Sequence, residues 1–79
     1  MATVNFYAAA RAACGLSESE FEGQTLADVI AAASKEFPKL VHILPGCSYL
    51  INGTATLNMQ IQLNQSDVID VLPRFAGGS

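Results

Sequence analysis

The sequence has 79 residues, of which 51% are hydrophobic and 14% are charged, and its formal net charge is −3. This length suits one small domain with one core, and it leaves little room for a large internal active-site cleft. The chain has only four lysines and arginines, and they are scattered. Because contact with phosphates requires clustered cations, nucleic-acid binding is not expected.

The cysteines and the lone histidine do not form a recognisable site. No apolar run is long enough to span a bilayer, and the first residues do not resemble a secretory signal, so we expect a cytoplasmic protein with no membrane partner. Cys14 and Cys47 are then expected to be separate, reduced thiols. Together with His42 they lack the close paired spacing of a zinc site, so we predict no metal.

The first elements are a strand and a short helix. Residues 3–7 alternate, with Val4 and Phe6 on one face, which indicates a strand with one face in the core. Residues 8–15 are rich in alanine and stop at a glycine, which predicts a short helix. Residues 16–22 alternate weakly, and we expect the side chains of Glu18, Glu20 and Glu22 to share one solvated face.

The main helix is predicted to begin after Thr25. Thr25 followed by Asp28 has the form of an N-cap hydroxyl with an acid three residues later, which also suits the positive end of the helix dipole. Pro38 marks the boundary beyond the helix. The predicted apolar stripe of this helix consists of Leu26, Val29, Ile30, Ala33 and Phe37.

The second half is predicted to contain a hairpin and a final strand. Residues 39–44 favour a short helical piece, and residues 47–51 a strand that turns at Asn52-Gly53, a pair suited to a type I′ hairpin, before a brief return at 54–57. Residues 59–63 alternate apolar and polar side chains. Residues 67–72 are rich in β-branched and apolar residues and end at Pro73, where we expect the sheet to stop because proline has no N–H to donate.

These elements predict an α+β domain in which one main helix covers one face of a mixed sheet. We expect the first and last strands to lie side by side, parallel, in the middle of the sheet, with the main helix across their inner face. Val68, Asp70 and Leu72 should then point away from the helix and form a candidate partner surface. The domain spans residues 1–79, and its last residues, 74–79, are expected to form a flexible tail with little side chain at Ala76-Gly77-Gly78.

Several segments together carry a family resemblance. Residues 4–11, Cys14-Gly15, 25–30, 50–53 and 67–73, followed by Gly77-Gly78, resemble the MoaD/ThiS family, most closely the small sulfur-carrier subunit of molybdopterin synthase. The resemblance covers nearly the whole chain in the right order. It implies the β-grasp, ubiquitin-like fold.

The resemblance also implies chemistry at Gly78. In that family an activating enzyme resembling MoeB and ubiquitin E1 uses ATP to adenylate the terminal glycine, which is then sulfurated to a thiocarboxylate. Here that requires removal of Ser79. The sulfur would pass to the molybdopterin precursor in the active site of a MoaE-like large subunit, so the carrier itself would be no enzyme and would bind no cofactor. We expect a heterodimer with that subunit, and two copies of each in the assembled synthase.

The tail residues before Gly78 are expected to bind the partner. Gly77 and Ala76 would enter a narrow channel, Phe75 would be an apolar anchor at its mouth, and Arg74 would either pair with a partner carboxylate or remain a solvated charge. Three alternatives stay open: a ThiS-like carrier for thiamine or another pathway, which the Arg74-Phe75 pair favours, a ubiquitin-like modifier joined to lysines through Gly78, and an interaction module with an inert tail.

Overall fold

The computed structural model describes residues 1–73, and residues 74–79 lie outside the described part of the chain. Its strands are β1 (Ala2–Phe6), β2 (Glu18–Phe21), β3 (Cys47–Ile51), β4 (Thr54–Thr56) and β5 (Val68–Pro73). They form one sheet in the order β2-β1-β5-β3-β4, in which β1 and β5 are parallel and the other pairs antiparallel. The predicted central, parallel pair of first and last strands is confirmed.

Two α-helices and two short 3₁₀ helices accompany the sheet. They are α1 (Ala8–Cys14), α2 (Leu26–Glu36) and the 3₁₀ helices Pro38–His42 and Leu44–Gly46. The predicted cap of α2 is confirmed: the Asp28 N–H donates to Thr25 Oγ1 at 3.2 Å, and the Thr25 N–H donates to Asp28 Oδ2 at 3.3 Å. Helix α1 ends as predicted at Gly15, whose φ of 76° is the left-handed conformation that favours glycine.

The core lies between α2 and the inner face of the sheet. Three phenylalanine rings, Phe6, Phe21 and Phe37, pack edge to face with centroids 6.3 to 6.4 Å apart and join β1, β2 and the end of α2. The predicted apolar stripe is confirmed as core, because Leu26, Val29, Ile30 and Ala33 are buried and Phe37 packs against them. The large, fully buried side chains are Phe6, Leu26, Leu40, Ile69, Val4, Val29 and Val71.

The alternating segment 59–63 serves the helix rather than the sheet. Its one ladder contact is an isolated bridge between Thr25 and Gln62. The first N–H groups of an α-helix have no partner within the helix. Here the Leu26 N–H donates to Ile61 O at 3.1 Å and the Ala27 N–H to Met59 O at 2.8 Å. The segment therefore caps the start of α2 with its backbone and packs its apolar side chains against the core.

Four predicted boundaries were wrong by a residue or more. Tyr7 is the N-cap of α1 rather than the end of β1, and Asp67 precedes β5 because its side chain closes a turn. Glu22 lies beyond β2, so Glu18 and Glu20 alone of the three glutamates occupy the strand. Leu57 lies outside β4 and is 99% exposed. The predicted turn is confirmed at Asn52 and Gly53, which have φ values of 50° and 85°.

Candidate functional site

The candidate site is the edge of the sheet where β5 ends. Because β1 and β5 are parallel, with Phe6 beside Val71, their carboxyl ends meet at one edge. The Tyr7 N–H donates to Val71 O at 3.3 Å on one side, and Cys47 of β3 lies opposite Pro73 on the other. The Tyr7 bond on one side and the pairing with β3 on the other therefore fix the point from which the chain continues to residue 74.

The residues that the sequence assigns to chemistry and partner binding begin one position later. Arg74, Phe75, Ala76, Gly77 and Gly78 all lie outside the described residues, so their roles stay predictions. The structure describes the strand that leads to them. Pro73 is the last described residue and belongs to β5, so the predicted end of the sheet at this proline stays a prediction.

One face of the sheet carries no helix within residues 1–73. Ile69 and Val71 of β5 are buried against α2, whereas Val68, Asp70 and Leu72 are half-buried and point the other way. The strand registers place further side chains on this second face, which we call the open face. They are Thr3 and Asn5 of β1, Ser48 and Leu50 of β3, and Glu18 and Glu20 of β2. The predicted second face, with apolar residues beside Asp70, is confirmed.

A polar cluster on the open face was missed by sequence reasoning. Asp70 Oδ1 accepts hydrogen bonds from Asn5 Nδ2 at 3.0 Å and from the Tyr7 hydroxyl at 3.3 Å. Desolvation, then the Asp70 charge and hydrogen bond, raise the pKa of Tyr7, and the Arg11 charge opposes them. The available signal was that Asn5 and Asp70 are both outward polar residues in two strands expected to be parallel neighbours.

A second polar cluster fixes the start of β5. Asp67 is 8% exposed, and its Oδ1 accepts from Asn52 Nδ2 at 2.9 Å while its Oδ2 accepts from the Asn64 N–H at 2.8 Å. The Asn64 bond, and then the Asn52 bond, hold the pKa of Asp67 below its usual range, although burial opposes them. Asn52 Oδ1 also accepts from the Val68 N–H at 2.9 Å. Strand β5 is therefore anchored at both ends.

The thiols and the histidine do not assemble a reactive centre in the described part of the chain. Cys14 and Cys47 are free and half-buried. Burial raises the pKa of both thiols, and the charge of Glu36 raises that of Cys14 further. Since the thiolate is the nucleophile, both are poor nucleophiles at neutral pH. His42 is exposed. Residues 1–73 contain no group of three or more His, Cys, Asp or Glu placed to hold a metal ion.

The sequence comparison identifies the family. The ThiS family model matches residues 4–78, which is nearly the whole chain and includes both glycines of the tail. The chain belongs to the ThiS family. No curated protein matches the sequence of this ThiS-family protein. Within residues 1–73, no helix has the length and apolar character needed to cross a bilayer.

Solved structures share the fold of this ThiS-family protein. The small archaeal modifier protein 1 of Methanosarcina acetivorans has a TM-score of 0.88 and 24% identity, over 98% of this chain and 95% of the other. A chain of the BexX/CysO complex of Amycolatopsis orientalis has a TM-score of 0.83 and 17% identity, over 99% of this chain and 100% of the other. A chain of the complex of subunits 1 and 2 of the molybdopterin-converting factor of Helicobacter pylori has a TM-score of 0.73 and 23% identity, over 98% of this chain and 97% of the other. The β-grasp, ubiquitin-like fold is thus confirmed.

Proposed function

We propose that this protein is a sulfur carrier whose Gly78, after removal of Ser79, is adenylated and converted to a thiocarboxylate. The sulfur would be used to make molybdopterin for the molybdenum cofactor, with this chain as the small subunit of the synthase. The observation that carries the proposal is the family match over residues 4–78, which joins the β-grasp domain and the glycine pair in one unit.

The chemistry of a terminal carboxylate explains why an activating enzyme is needed. With a pKa of about 3.5, the carboxylate is an anion at neutral pH and resists nucleophiles. A carboxylate oxygen attacks the α-phosphate of ATP and displaces pyrophosphate, which gives an acyl adenylate. Hydrosulfide then attacks the acyl carbon and displaces AMP, so the oxygen leaves with AMP and the acyl carbon carries a thiocarboxylate sulfur. ATP is therefore consumed on the activating enzyme, and this chain binds no cofactor of its own.

The contribution of this chain is the position of its tail. Gly78 is the fifth residue after Pro73, and an extended chain of five residues reaches at most roughly 17 Å. Because β5 is anchored on both sides, Gly78 stays within that distance of a fixed point. The acid, base and nucleophile would lie on the partner enzymes, so we propose that this protein is a carrier subunit and no independent enzyme.

Two protein partners follow from this proposal. A MoaE-like large subunit would accept the sulfur, and a MoeB-like activating enzyme would charge Gly78. The first is supported by the Helicobacter pylori neighbour, which is a complex of subunits 1 and 2, and the BexX/CysO neighbour is also a protein complex. We propose that Arg74, Phe75, Ala76 and Gly77 of this chain bind the partner, both in the complex with the large subunit and in the complex with the activating enzyme.

The test is pyrophosphate exchange with the E1-like adenylating enzyme of the same cells. A chain ending at Gly78 should support exchange of labelled pyrophosphate into ATP. A chain ending at Ser79 should not support exchange, because the carboxyl group of Gly78 is then part of a peptide bond. A chain ending at Gly77 should not support it either, because its terminal carboxylate lies one residue too early. A carrier that the same enzyme is known to activate serves as the positive control. If that carrier supports exchange and the chain ending at Gly78 does not, the proposal is contradicted.

A ubiquitin-like modifier is the second candidate function. It is favoured by the similarity to the small archaeal modifier protein 1, with a TM-score of 0.88. A modifier needs the same adenylation but joins Gly78 to lysine amines of other proteins. Affinity-tagged chain expressed in the source cells would then be recovered in isopeptide-linked conjugates, whereas a sulfur carrier for molybdopterin, thiamine or another product would be recovered as a thiocarboxylate.

A further inference from the structure

The Asp70 carboxylate on the open face has one oxygen occupied and one oxygen without a hydrogen bond from residues 1–73. Oδ1 accepts both intramolecular bonds, from Asn5 and Tyr7, and these two donors hold the carboxylate in one orientation. None of the lysines or arginines among those residues forms an ion pair with it. A half-buried carboxylate with an oriented, unused oxygen is suited to accept a donor from outside the chain.

We propose that Asp70 is a specificity-determining residue on the open face, where it pairs with an arginine or lysine of the activating enzyme. The proposal rests on the proposed function, because it assigns a surface to one of its partners. The contact would lie among apolar side chains, since Val68 and Leu72 flank Asp70 along β5 and Leu50 lies opposite it on β3.

The charge of the open face favours a basic partner. The register of β1 with β2 puts Glu20 beside Thr3 and Glu18 beside Asn5, so two further carboxylates border the face. Lys35 and Lys39 belong to α2 and the following 3₁₀ helix, on the covered side of the sheet. Arg11 of α1 donates from Nε to Phe6 O at 3.4 Å, beside the end of β1. The face therefore carries carboxylates along its β2 edge, with Asn5 on one side of Asp70 and the apolar side chain of Leu50 on the other.

The energetics of docking turn Asp70 into a selective contact. When a partner covers the face, the carboxylate loses water, and an unpaired buried charge is costly. A partner with a cation at this position compensates that cost, whereas a purely apolar surface does not. Asp70 therefore excludes wrong partners as well as binding the right one.

The activating enzyme is the occupant because both candidate functions start with it. A sulfur carrier and a modifier each require adenylation at Gly78, so the surface nearest the tail must serve that enzyme in either case. Asp70 lies three residues before Pro73, on the strand that leads into the tail. A protein that takes up the tail at this edge therefore has the open face within reach.

The test compares the Michaelis constant of the activating enzyme for two variants of the chain ending at Gly78. Asp70→Asn is isosteric, so it keeps an oxygen for Asn5 and Tyr7 and removes the charge. It should raise KM about tenfold with little change in kcat, as expected for the loss of one close charge pair. The matched control, Glu36→Gln, removes one charge from the exposed end of α2 and should leave KM unchanged.

Two further measurements keep the result specific. The KM of the unaltered chain should rise with salt more steeply than that of Asp70→Asn, because screening weakens an ion pair. Asp70→Arg should be rescued by an aspartate in place of the matching cation on the enzyme. Far-UV circular dichroism and the unfolding midpoint must match the unaltered chain for each variant.

The outcomes separate this inference from the proposed function. If the chain ending at Gly78, without a substitution, gives no pyrophosphate exchange, the proposed function fails. If exchange occurs but Asp70→Asn and the unaltered chain share one KM and one salt dependence, the Asp70 inference is overturned and the function stands. The inference would also be overturned if Glu36→Gln raised KM as much as Asp70→Asn does. The same holds if the unsubstituted chain formed a dimer that Asp70→Asn dissociates.

Discussion

Asp67, which directly precedes the last strand, and Asp70, in the middle of that strand, have different roles. Both oxygens of Asp67 accept hydrogen bonds within the chain, from Asn52 and from the Asn64 backbone. Asp70 uses one oxygen for Asn5 and Tyr7. The first carboxylate is therefore a structural anchor, and the second is available for recognition.

Asp67→Asn should destabilise the fold. The new amide presents an NH₂ group to either Asn52 Nδ2 or the Asn64 N–H, so one buried donor faces another donor. We expect the free energy of unfolding to fall by about 1–3 kcal/mol. Urea denaturation at neutral pH measures it. Glu22→Gln, on an exposed side chain, is the control and should change little, and an unaltered midpoint for Asp67→Asn would show that the network does not anchor β5.

The same carboxylate predicts a dependence of stability on pH. The folded pKa of Asp67 lies below its unfolded value, which is about 3.9, so the stabilisation is complete above that value and is lost as the pH falls through the folded pKa. The stability difference between the unaltered chain and Asp67→Asn should therefore shrink below about pH 4. A difference that stays constant down to acid unfolding would contradict the assigned cause.

Individual side-chain contacts were predictable when the partners are close in sequence. Thr25 and Asp28 are three residues apart, and their reciprocal bonds follow from the geometry of a helix start. Asn5 and Asp70 are 65 positions apart. Their contact depends on the register of two parallel strands, which the hydrophobic pattern alone does not determine for polar outward positions.

Helix α2 depends on both its own cap and a distant segment. Thr25 and Asp28 satisfy each other, while Met59 and Ile61 accept from the first-turn N–H groups. The cap was predicted from local sequence. The second contribution was not, because the alternation in residues 59–63 resembles that of a strand and gives no sign that its carbonyls would face a helix.

Thr25→Ala should weaken the start of α2. The substitution removes the oxygen that accepts from the Asp28 N–H at 3.2 Å and should lower the free energy of unfolding by about 1 kcal/mol. Thermal and urea unfolding measure this change. Gln24→Ala, one residue earlier on an exposed side chain, serves as the control. Equal stability of the two variants would mean that the backbone of residues 59–63 caps the helix alone.

At the scale of the whole molecule, the described core lies within residues 2–71, and the proposed chemistry lies beyond Pro73. The α+β class, the order of the elements and the central parallel pair followed from hydrophobic periodicity and turn residues, since each element buries one apolar face. The same periodicity carries no information about a tail of small residues. The roles proposed for residues 74–78 are therefore inferred from the family and not from periodicity.

This separation predicts that stability and function can be divided by truncation. A chain ending at Pro73 should keep its free energy of unfolding within about 0.5 kcal/mol of the full chain and should give no pyrophosphate exchange. Both quantities can be measured on one preparation. A truncated chain that unfolds markedly more easily would show that the tail belongs to the folded body.

The most direct test of the central claim is the intact mass of the chain ending at Gly78 after incubation with the activating enzyme, ATP and hydrosulfide as the sulfur donor. The account predicts a mass increase equal to the replacement of one oxygen by sulfur, and fragmentation should place it at Gly78. An unchanged mass, with an enzyme that converts another carrier under the same conditions, would contradict the account.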